Sequence, residues 1–182
     1  MKRSKKAALV LMVPAATLLF ASCAQQNESA LVFNDPNECT AADPSSAAEC
    51  NAEFQAAQAI HPEVAPKYAN RAECEADFGA EKCEAARPEY ASSGGFFMPM
   101  MMGYMMGNML NRNVGERSNI ASQPLYKANG DSSTFRTGNN TVVSRGTGLV
   151  QVNPARVTPQ AGSMVRRGGF GQQSVARTSL GG

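Results

Sequence analysis

Tryptophan is absent from the 182-residue chain and histidine occurs once. A histidine-centred triad or a histidine metal cluster therefore has little to build on. The chain also holds no G-x-S-x-G elbow and no phosphate-cradling glycine loop. These absences argue against an enzyme and imply no cofactor. Long apolar runs are missing too. The two longest, Ala7–Phe20 and Phe96–Leu110, are broken by Pro14 and by Pro99, Gly103 and Gly107. Both fall short of the about 20 apolar residues that a membrane-spanning helix needs.

What is present begins with an export signal. Lys2, Arg3, Lys5 and Lys6 form a basic start, Ala7–Phe20 an apolar middle, and Ala21 and Ser22 the small residues before a cleavage point. Phe20-Ala21-Ser22-Cys23 resembles the bacterial lipobox, with Phe20 where leucine is usual and Leu19 one place earlier. Residues 1–22 are expected to be removed as a lipoprotein-type signal peptide, leaving Cys23 to carry diacylglyceryl and palmitate-type chains. Each buried acyl CH₂ contributes about 0.8 kcal/mol to membrane attachment. Ala24 is not the aspartate that holds such proteins at the inner membrane. The expected location is the cell envelope, lipid-anchored in the outer membrane and facing the periplasm. Residues 23–34 then read as an anchor linker.

Charge is divided unevenly behind that anchor. Residues 24–90 carry thirteen acidic and four basic side chains, and residues 111–182 two acidic and nine basic. This pattern suggests an interaction tail or attraction between the halves. Four cysteines follow Cys23, and an even number behind an export signal reads as disulfides. Asp35-Pro36-x-Glu38-Cys39 and Asn70-x-x-Glu73-Cys74 each fit a capping box opening a helix, and each unit turns before its second cysteine. Of three possible pairings, this repeat favours the local bridges Cys39–Cys50 and Cys74–Cys83. Each would contribute roughly 3 kcal/mol. The wide spacings argue against zinc. Ala47–Ile60 is rich in helix formers, and His61 before Pro62 reads as a helix-end residue that caps or faces solvent. Residues 35–90 are thus expected to form a small disulfide-stapled helical domain.

The uncharged strip Phe96–Leu110 reads as an apolar helix over 94–111. Started at Pro99, it sets Met102, Met105 and Met109 on one face, with Gly103 and Gly107 opposite in G-x-x-x-G spacing. A helix apolar on nearly all sides needs a cover. Gly103, Tyr104 and Gly107 are the expected contact for another envelope protein or a second copy, with lodging in lipid as a competing cover. The alternative is a Cu(I) site from Met102, Met105, Met106 and Met109, because thioethers are soft ligands. Residues 112–182, rich in Gly, Ser, Thr and Arg, bury too little apolar surface to order themselves, and read as a basic low-complexity tail. Thr141–Val152 alternates weakly, as a short hairpin would. Arg166-Arg167-Gly-Gly-Phe could bind RNA, but an exported protein meets little of it. Anionic lipid, an anionic envelope polymer or the acidic half of the chain is the expected partner, and no nucleic acid.

"APKYANRAECEADFG", "GGFFMPMMMGYMMG" and "RRGGFG", in this order behind an export signal, resemble the YgiB-like family of uncharacterised bacterial envelope proteins. The likeness runs from Leu31 to Leu110 and again over Arg166–Gly171. It implies an envelope protein and assigns no catalytic or binding residue. The sequence as a whole predicts a mainly α protein with a stapled helical domain, a Met/Gly-rich helix and a largely disordered tail. Its function is expected to be structural or interactive, through the Met/Gly helix.

Overall fold

The computed structural model describes residues 27–90, 95–107 and 119–171. The expected signal peptide, Cys23 and Met109 lie outside them. The architecture is mostly β, against the mainly α expectation. Strands β1 (Glu28–Phe33), β4 (Gly103–Gly107), β5 (Gln123–Ala128), β6 (Asp131–Arg136), β7 (Val142–Ser144) and β8 (Gly148–Val152) form one antiparallel sheet. Its order is β7-β6-β5-β4-β1-β8. The two edge strands are consecutive in the chain and touch, so the sheet curls into a nearly closed barrel. Strands β2 (Cys83–Ala85) and β3 (Phe97–Pro99) pair separately.

Helices α1 (Pro36–Ala42), α2 (Ala47–Val64) and α3 (Arg71–Phe78) form between β1 and β2, and α4 (Pro154–Val157) follows β8. The capping residues set the starts of α1 and α3. The Asp35 carboxylate accepts from the N–H groups of Asn37 and Glu38 at 2.7 and 3.0 Å, and Asn70 accepts from that of Glu73 at 2.9 Å. Glu38 reaches back to the N–H of Asn34 at 2.7 Å. Disulfides join Cys39 to Cys50 and Cys74 to Cys83, the local pairing. The first staples α1 to α2, and the second staples α3 to β2.

Every strand of the sheet feeds the barrel interior. Ala30 and Val32, Met105, Leu125, Phe135, Val143, Val150 and Val152 meet there, with Ile120 and Val157. The outer face of β1 and β4 lies under α1 and α2, where Leu31, Phe33, Tyr104 and Met106 pack on Ala57 and the Cys39–Cys50 bridge. The outer face of β5 presents Tyr126 and Ala128 to Tyr68, Phe78, Met98 and the Cys74–Cys83 bridge.

Three sequence expectations fall here. The helix expected over 94–111 is not formed by its described residues, 95–107: Gly103–Gly107 is a strand, and Phe97–Pro99 another. A strand covered on both faces reads as an unbroken apolar run, which local pattern does not separate from a buried helix. The 23–34 linker holds β1. The supposedly disordered tail supplies β5 to β8, α4 and a closing strap. Each of its strands brings only one or two apolar residues to the barrel interior, and closure of the sheet gathers them into one core.

That strap runs over 158–171. The N–H of Lys67 donates to Ser163 O at 3.0 Å, and that of Val165 donates to Lys67 O at 2.7 Å. Phe170 then enters the outer core, 4.6 Å ring to ring from Phe78. The Arg-Gly-Gly-Phe motif is a clasp around Asp77, whose buried carboxylate accepts from the N–H groups of Gly168 (2.7 Å) and Phe170 (3.2 Å) and from the Tyr68 hydroxyl (2.9 Å).

Candidate functional site

The residues expected to form a contact helix are built into the barrel wall. Tyr104 is fully buried, its ring 5.4 Å from Phe54 and 6.0 Å from Phe33. Its hydroxyl has no hydrogen-bond partner, and burial pushes its pKa up to about 12. Gly103 has no room for a side chain, because a Cβ there would lie 2.6 Å from the Phe135 ring and 2.7 Å from Phe33 O. Gly107 faces Ala30 of β1 in the ladder. Gly103 therefore offers no surface for a second helix.

Within the helical copper set of Met102, Met105, Met106 and Met109, the described Met105 and Met106 do not converge. Met105 points into the barrel and Met106 to the outer face, as alternation along a strand requires. Met102 precedes β4 and donates its N–H to Leu125 O at 2.9 Å.

Other methionines of the same strip gather elsewhere. Met98, Met100 and Met101 line a cleft of about 620 Å³ with Phe54 and His61. The cleft lies where α2 meets β2 and β3, and Glu84 and Arg87 stand on its rim. Met98 is buried, whereas Met100 is 40% exposed.

His61 departs from its expected place at an exposed helix end. Helix α2 continues through Pro62 to Val64, and the imidazole is buried. Its Nε2 lies 2.9 Å from Pro99 O. A carbonyl only accepts, so Nε2 carries the proton and Nδ1 keeps the lone pair. Burial lowers the histidine pKa, outweighing the carbonyl bond and the Glu84 charge, so the ring is held neutral. No local pattern links it to the strip, since His61 and Pro99 are 38 positions apart. Met98, Met100 and Met101 belong to the same apolar strip, but helical spacing favours the methionines at its other end.

Chemically, the cleft offers soft, deformable apolar surface with a few polar groups at its edge. Such surface suits apolar side chains or a soft cation. Among the described residues there is no metal-ligating cluster of three or more histidine, cysteine or acidic side chains, and no helix is long and apolar enough to cross a membrane. Arg166 and Arg167 are exposed on the strap.

The family model "Protein of unknown function (DUF1190)" matches residues 27–181. The chain belongs to this family. The YgiB-like resemblance seen in the sequence concerns the same family. The DUF1190 chain is also 32% identical over 187 residues to a UPF0441 protein of Erwinia tasmaniensis, covering 92% of this chain and 81% of that protein. No solved structure matches it.

Proposed function

We propose that this DUF1190 protein is a non-enzymatic lipoprotein of the bacterial cell envelope whose folded body holds an apolar segment of another envelope protein in the Met98/Met100/Met101 cleft. The anchor is Cys23, in the outer membrane, with the body in the periplasm. Two disulfides suit an oxidising compartment. The observation that carries the docking role is Met100, a large apolar side chain held 40% exposed at the mouth of a methionine-walled cleft. Methionine walls adapt to a partner's side chains, and a cleft of this size accepts several of them.

A photocrosslinking residue at Met100 should capture one discrete envelope protein in living cells. Labelling of lipid alone would overturn the reading. Cys23→Ser should abolish acyl labelling and release the chain from membranes. Arg166 and Arg167, exposed on the strap, are available for anionic lipid or polymer.

Cu(I) binding is a second reading, shifted to Met98, Met100, Met101 and Nδ1 of His61, which line the same cleft. A Cu(I) titration of the wild type against a Met100→Leu/Met101→Leu variant tests it, and equal affinities would remove it.

A further inference from the structure

A second cavity, of about 640 Å³, opens where the β6–β7 turn faces the junction of β8 and α4. Its wall differs in kind from the methionine cleft. The ionisable residues lining it are Arg136 and Arg156, and no carboxylate shares the lining. Amide side chains of Asn139, Asn140 and Gln151 complete much of the polar surface, and Val142, 53% exposed, adds an apolar patch.

Arg136 is the unusual member. Its side chain is only 7% exposed, yet its guanidinium is lightly engaged. Asn140 Oδ1 accepts from one end at 3.2 Å, and the partly exposed Asp131 carboxylate from the other at 3.4 Å. Both contacts are long for charge-assisted bonds, and Nε has no partner. A buried guanidinium normally has its donors better used than this. Arg156 is exposed on the opposite wall and adds a second positive charge.

We propose that this cavity binds an acidic saccharide, its carboxylate drawn to Arg136 and Arg156 and its hydroxyls to the amide side chains. A guanidinium fork matches a carboxylate in geometry, and amides both donate to and accept from hydroxyls. The proposal is independent of the methionine cleft and of its partner.

The full chain in detergent is titrated with D-glucuronate, D-glucose and inorganic phosphate while its amide and side-chain NMR signals are followed. D-glucuronate should produce saturable shifts at Asn139, Gln151 and Arg156, and D-glucose none. Arg156→Gln, at an exposed position, should weaken D-glucuronate roughly tenfold with the spectrum otherwise preserved. Arg136→Lys, which keeps the charge but loses the fork, should also weaken it. Equal shifts with D-glucose would overturn charge recognition. Phosphate binding as tightly as D-glucuronate would overturn the saccharide. No saturable shift at the cavity, or an unchanged affinity in Arg156→Gln, would overturn the site.

Discussion

At the residue scale, three acidic side chains of the first half accept from N–H and hydroxyl donors of the second. Glu28 accepts from Asn119 N (3.1 Å) and Nδ2 (2.9 Å), Glu53 from the Ser122 hydroxyl, and Asp77 from the strap. At these three contacts the halves are joined by neutral N–H and O–H donors, rather than by the basic side chains to which the charge division pointed. Asp77 is the most demanding case because its carboxylate is buried. Asp77→Asn replaces one acceptor oxygen with a donor facing Gly168, Phe170 and Tyr68. It should cost about 2–3 kcal/mol in urea unfolding and speed amide exchange at Phe170. Tyr68→Phe, which removes one of the three bonds, should cost about 1 kcal/mol.

His61 gives a pH signature at the same scale. Its folded pKa lies below the ordinary 6.5, so the unfolded chain binds the proton more readily. The stability held by the neutral ring is fully present above about pH 6.5. It is lost as pH falls through the folded pKa. Thermal unfolding should show a decline beginning below about pH 6.5, above the ordinary carboxylate range. His61→Gln should flatten it.

At the element scale, the caps of α1 and α3 and the two staples were legible in the sequence, since each depends on residues close in the chain. The strip was not. Met105 and Met106 are equally apolar because α2 covers one face of β4 and the barrel interior covers the other. Nothing in Met-Met-Gly-Tyr-Met-Met-Gly marks which face is which. The strap was illegible for a different reason, because its glycines serve contacts with a distant helix end. A Cβ on Gly162 would lie 1.8 Å from Ala65 O, and outside the strap, between β6 and β7, one on Gly138 would lie 2.0 Å from Val64 O. Gly162 also donates its N–H to Glu63 O at 2.7 Å. Gly162→Ala should therefore cost about 1–3 kcal/mol and loosen the strap. Trypsin cutting after Arg166 and Arg167 should speed up in that variant. Gly130→Ala, with open space around its Cβ, should leave the cutting rate unchanged.

At the scale of the whole molecule, the two views of residues 112–182 make opposite predictions about truncation. A disordered tail is dispensable, and a chain ending at residue 110 would keep its helical domain. In the barrel, β4 loses its β5 partner and β1 loses β8 once the chain stops there. The interior loses Leu125, Phe135 and Val152, and the outer core loses Tyr126 and Phe170. The staples remain, but at roughly 3 kcal/mol each they do not offset the entropy of ordering the helices without a core. The chain ending at residue 110 should therefore show no cooperative unfolding transition and no dispersed NMR spectrum. A chain ending at residue 157 separates the barrel from its strap. It keeps all six strands of the barrel sheet and α4, and loses Phe170 and the two backbone donors to Asp77. It should fold with a lowered melting temperature and with exposed apolar surface, read by dye binding, at the outer core around Phe78 and Tyr126. Cooperative folding of the chain ending at residue 110 would return the strands of the second half to the role of an appendage.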